Sequence, residues 1–116
     1  ATVRAMAGAL TADAALADLL EVSDKLRSIA LFDADGAVLA EIGGLGAEAH
    51  GILTAADDAA RLLGRPPVHQ CEVGLPDALV FAVREHGRAA IAVADPDATA
   101  GLVFYDLREA LRGVAA

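Results

Sequence analysis

Cysteine occurs once, at Cys71, and serine only at Ser23 and Ser28. A lone cysteine excludes an internal disulfide and a C-x-x-C metal or redox site, which leaves Cys71 as a small apolar residue of a strand. The serines lie beside the first predicted helix, and no G-x-S-x-G elbow surrounds them. Positive charge is also scarce: nine basic residues against seventeen acidic ones give a formal net charge of -8. Nucleic acid and anionic membranes attract proteins through Lys and Arg, so neither is an expected partner. No run of about 20 apolar residues is free of charge, which excludes membrane insertion, and no basic cluster with a long apolar core opens the chain. A soluble cytoplasmic protein is expected. There is no GxxxxGK[ST] loop, since Gly43, Gly44 and Gly46 follow a strand without the lysine. His50, His69 and His86 have no metal-ligand spacing. Neither a cofactor nor an enzymatic activity is predicted.

What the chain does have is apolar sequence: hydrophobic residues make up 56 % of the 116, aromatics only 3 %, and roughly a quarter are alanine. That length suits one domain, over residues 11–116, behind an N-terminal arm at residues 1–10. Shallow alanine faces must approach closely, and so small a domain has more apolar surface than its own interior can hold. The surplus points to an oligomer or a standing partner.

Thr11 is a predicted N-cap with Asp13 in the first turn, and Leu16, Leu19, Leu20, Ser23 and Leu26 trace a helix over Ala12 to Arg27. Ile29 to Phe32 is an apolar strand, the Asp35-Gly36 turn a hairpin signal, and Ala37 to Ile42 the returning strand. A second helix is expected over Ala47 to Leu63, stopped by Gly64 and the prolines at 66 and 67. Val68 to Val73 is a mixed strand with His69, Cys71 and Val73 on one face. Leu79 to Val83 and Ala89 to Val93 follow as apolar strands. Ala100, Phe104, Leu107, Leu111 and Val114 then recur as one face of a last helix, for which Asp95 or Asp97 is a candidate cap.

The order α-β-β-α-β-β-β-α, with the two strongest strands side by side, gives an α/β fold. Its five-stranded antiparallel sheet runs second, first, fifth, fourth, third, flanked by three helices. Three pairs of aspartates invite a catalytic reading. Asp33 with Asp35 suits a hairpin turn, Asp57 with Asp58 a solvated helix face, and Asp95 with Asp97 a helix cap.

The second helix carries two apolar stripes, Ala49, Leu53, Ala56, Ala60 and Leu63, and beside it Ile52, Ala55, Ala59 and Leu62. Gly51, Ala55 and Ala59, four apart, leave it nearly flat. Either the core needs a wide small-residue face or the helix is shared between the sheet and a second subunit. The strand Val68 to Val73 follows at a sheet edge, with no lysine to discourage pairing.

LFDADGAVLAE at Leu31 to Glu41 and ADPDATAGLVFYDLREAL at Ala94 to Leu111 resemble the Roadblock domain family, the dynein light chain type domain also found in bacterial and archaeal regulators of Ras-like GTPases. Asp35 and Gly36 match its hairpin, and Asp97 to Leu102 with Arg108 match the start of its last helix. The resemblance spans roughly Asp13 to Val114 and implies a Roadblock-like or profilin-like sandwich. It implies a dimer in which the edge strand extends a sheet into the partner and the second helices pack together. Carried over, the interface takes Ala55, Ala59 and Leu62 from the helix and His69, Gln70, Cys71, Glu72 and Val73 from the strand; Gly51 and Ile52 join them on the helical stripe. The expectation is a non-enzymatic homodimeric adaptor for a small Ras-like GTPase. The alternatives are a scaffold subunit of a larger assembly and a small-molecule sensing domain.

Overall fold

The structure, a computed structural model, describes residues 11–114. The arm expected at residues 1–10 lies outside them. The elements are α1 (Ala12–Val22), β1 (Leu26–Phe32), β2 (Val38–Ile42), a 3₁₀ turn (Ala47–His50) leading into α2 (Gly51–Leu62), β3 (Gln70–Gly74), β4 (Leu79–Glu85), β5 (Arg88–Ala94) and α3 (Ala100–Gly113). The antiparallel sheet has the order β2-β1-β5-β4-β3, as the placement of the two strongest strands predicts.

Alternation along the central strands divides the core into two layers. Ile29 and Leu31 of β1, Phe81 and Val83 of β4, and Ala90, Ala92 and Ala94 of β5 face α1 and α3. The alanines of β5 leave room there for Leu107 and Leu111, and for Phe104, whose ring meets Phe81 edge to face at 5.2 Å. Ala30, Phe32, Val80, Ala82, Ala89 and Ile91 face the opposite way and are covered by Ala49 and Leu53. Both faces of β1 and β5 are therefore sealed, which explains their unbroken apolar runs.

Thr11 caps α1 as expected, its Oγ1 accepting from the Ala14 N–H at 3.1 Å. The helix ends sooner than its periodicity suggests. Ser23 turns extended and donates to the Leu19 carbonyl at 3.0 Å. Leu26 continues the helical spacing by coincidence but is the first residue of β1, buried opposite Ala94. At the hairpin, Asp33 Oδ1 accepts from the N–H groups of Asp35 and Ala37 at 2.9 and 3.0 Å, and Gly36 takes φ 85°. That is the turn role expected of the aspartate pair.

Asp95 and Asp97 do not cap the last helix. Thr99 occupies the N-cap without a side-chain bond, and the carboxylates of Asp95 and Asp97 are engaged by basic side chains rather than by the first amides of α3. Both instead tie β5's exit to β1's entrance, Asp95 to Arg27 at 2.6 Å and Asp97 to Lys25 at 2.8 Å.

Candidate protein-interaction surface

α2 rests on the sheet through few residues. Leu53 alone is fully buried, while Ile52, Ala56 and Ala60 are partly covered. The neighbouring stripe faces outward: Gly51, Ala55, Ala59 and Leu62 are exposed, and Leu62 keeps 89 % of its surface. Leu63 was placed by its spacing on the stripe of Leu53 but is 76 % exposed, because the helix ends at Leu62 and the next residue leaves its phase.

β3 is the last strand of the sheet, bonded only to β4 in the register Gln70 opposite Val83 through Gly74 opposite Leu79. It begins two residues later than the apolar pattern suggests, so His69 precedes it, although the His69 carbonyl still accepts the Arg84 N–H at 2.8 Å. Cys71 and Val73 share the α2 face of the sheet. Cys71 packs against the cluster around Leu53, and burial pushes its thiol above the ordinary 9.0, which keeps it protonated. Glu72 and Val73 are exposed, as is Leu75 in the following turn. Gln70 is half-buried on the other face, and its Oε1 is shielded from water without a hydrogen-bond partner, an arrangement costing about 1–3 kcal/mol.

The orientation of α2 beside this edge is fixed by a group that the sequence reading places in solvent. Asp57 is half-buried and receives Arg84 of β4 in a two-pronged bridge, Nη1 to Oδ1 at 2.9 Å and Nη2 to Oδ2 at 2.7 Å. Its Oδ1 also accepts the Val68 N–H at 2.9 Å, while Arg84 Nη1 donates to the Val68 carbonyl at 2.7 Å. One carboxylate thus clamps the helix, the segment entering β3 and strand β4. The Arg84 guanidinium beside it, aided by the Val68 amide, holds the Asp57 carboxyl down to about 2 against an ordinary 3.8. Asp58, its neighbour, does face solvent and pairs with Arg61 at 2.8 Å. The signal was present: Arg84 falls in phase with Val80 and Ala82, on the face that α2 covers, and Asp57 follows Leu53 by one helical turn.

Among the described residues no group of His, Cys, Asp or Glu is arranged to hold a metal ion, and no helix is long and apolar enough to cross a membrane. His50 packs instead edge-on against Phe32, with ring centroids 5.2 Å apart.

No protein-family model matches the sequence, and no curated protein does. Solved structures do. The chain is similar to a Roadblock/LC7 domain from Streptomyces avermitilis, with a TM-score of 0.70 and 22 % identity over 83 % of this chain and 88 % of that one. It is similar to the gliding protein MglB of Thermus thermophilus, with a TM-score of 0.66 and 22 % identity over 86 % of this chain and 82 % of that one. LokiProfilin1, solved in complex with rabbit actin, matches with a TM-score of 0.59 and 15 % identity over 85 % of this chain and 90 % of that one. With its sheet order, its single α2 layer and its paired α1 and α3 layer, the chain has the Roadblock/LC7 fold.

Proposed function

We propose that this chain is a non-enzymatic homodimeric adaptor that binds a small Ras-like GTPase. The observation carrying the reading is the uncovered face of α2, with Ala55, Ala59 and Leu62 in solvent beside an edge strand that has one neighbour. Small side chains let a second helix approach closely, and burying a fully exposed leucine contributes about 1.5–3 kcal/mol. Two copies related by a two-fold axis bury the same residues twice, while β3 pairs with its copy through its free N–H and C=O groups. The interface then takes Gly51, Ile52, Ala55, Ala59 and Leu62 with His69, Gln70, Cys71, Glu72 and Val73.

The Roadblock resemblance supplies the partner class. A GTPase orders its switch segments according to its nucleotide, and a rigid two-subunit platform that favours one arrangement shifts that population without a catalytic group of its own. Calorimetry of the chain against co-encoded small GTPases, in GDP-bound and GTP-analogue forms, tests this. Binding that prefers one nucleotide state is expected. Hydrolysis by the isolated chain, or failure to bind every candidate in both states, overturns it and favours the scaffold-subunit reading.

A further inference from the structure

The opposite face of the molecule carries a second apolar surface that the proposed dimer does not use. α1 and α3 pack together over the sheet, and a cleft of about 310 Å³ runs between them, with Ala15, Leu19 and Ala110 in its lining. A smaller cleft of about 180 Å³ adjoins it and shares Val22 and Asp106 with it. Three large apolar side chains stand in solvent along this line: Val22, Leu102 and Tyr105, at 69, 64 and 60 % exposure.

The surroundings are strongly acidic. Asp18, Asp106 and Glu109 border the larger cleft, and Asp24 and Asp97 the smaller. Lys25, the one basic residue among the described residues lining the two clefts, is held by Asp97 at 2.8 Å. Glu109 is met by Arg112 at 2.9 Å, whereas Asp106 has no ion pair among the described residues. Asp106 is also half-buried, and desolvation pushes its carboxyl above the ordinary 3.8, so a cation brought beside it would be favoured.

We propose that the α1/α3 cleft docks a basic amphipathic helix of a partner protein, its apolar ridge between the helices and its Lys or Arg residues against the acidic rim. The groove between two packed helices accepts the side-chain ridge of a third, and the volume suits two or three such side chains rather than a whole helix. A second copy of this chain is a poor occupant, because a two-fold contact would set the same carboxylates against one another. Nucleic acid is repelled for the same reason. This surface is independent of the α2 and β3 interface, so either assignment can fail alone.

The test titrates the full chain with an 18-residue synthetic helix bearing leucines at i, i+3, i+4 and i+7 flanked by lysines, beside a control with glutamates in place of the lysines. Calorimetry gives affinity and amide chemical shifts give location. The lysine peptide is expected to bind, the glutamate peptide not, with shifts centred on Val22, Tyr105 and Asp106. Exchanging Asp106→Lys and Glu109→Lys together should weaken binding at least about ten-fold, as should Tyr105→Ala, while Ala59→Glu on α2 leaves it unchanged. These rim side chains are exposed or half-buried outside the main layers, and unchanged circular dichroism confirms that the variants fold. Equal binding of both peptides, shifts confined to α2 and β3, or no binding at about 1 mM overturns the proposal. So does a ten-fold gain in peptide affinity on Arg4→Glu, which would assign the cleft to the chain's own first residues, or dissociation of a dimer by the rim variants, which would assign it to a second copy.

Discussion

Replacing Asp57 with alanine should destabilise the domain far more than its place on a helix beside Asp58 suggests. The carboxyl is held at about 2 instead of 3.8, a difference worth about 2 kcal/mol of preference for the charged form in the folded state. The side chains of Arg84 and Asp57 keep only 30 and 20 % of their surface, so solvent screening removes little of this. Asp57→Ala also strands the Val68 N–H and leaves the Arg84 guanidinium unpaired, which together bring the expected loss to about 2–4 kcal/mol. Arg84→Met keeps the aliphatic stem without the charge, and the double variant should show a coupling of about 2 kcal/mol. The pH dependence follows from the direction of the shift. A depressed carboxyl contributes fully above the unfolded value of 3.8 and loses its contribution as pH falls through the folded value. The gap between wild type and Asp57→Ala should be nearly constant from pH 7 to 5 and about 1 kcal/mol smaller by pH 3. Urea unfolding at a single protein concentration is the assay, because dimerisation would make stability concentration-dependent. A loss under about 0.5 kcal/mol at pH 7, or a gap that does not change down to pH 3, refutes the clamp as the anchor of α2.

Ala59→Glu should leave the fold intact and abolish self-association, because the position is exposed in the single chain and central to the proposed helix pair. Sedimentation of both proteins at tens of micromolar checks this, and a wild-type monomer there removes the dimer. Amides of β3 should exchange more slowly in concentrated wild type than in that variant. Equal rates would place the interface elsewhere. Gly43→Ala should cost about 2 kcal/mol or more in thermal unfolding: φ is 83°, and an added Cβ would stand 2.6 Å from Ser28 Oγ and 2.7 Å from the Arg27 carbonyl. Wild-type stability in that variant would show that the β2 exit can rearrange freely.

Much of this architecture was legible because its signals are local or nearly so. The hydroxyl of Thr11 and the carboxylate of Asp33 bond to amides within four residues, so residue type and position sufficed. The runs Ile29 to Phe32 and Ala89 to Val93 are apolar on both faces, which only central strands tolerate, and pairing them dictates the whole sheet order. The surplus apolar stripe on α2 was readable as well, since a helix of alanine and leucine repeats shows its width in sequence. Tertiary structure decided what depended on partners far along the chain. Asp57 looked like half of a solvated pair until β4 brought Arg84 beneath it, 27 residues away. Asp95 and Asp97 looked like caps until the β1–β5 register set them beside Arg27 and Lys25. Leu26 kept helical spacing and became a strand, because burial opposite Ala94 outweighed one more helical turn. Leu63 lost its place in the core to the end of a helix one residue earlier. Periodicity records which side of an element is apolar, but the partner of a charge and the last turn of a helix depend on strand register and packing, and those are fixed only when distant segments meet.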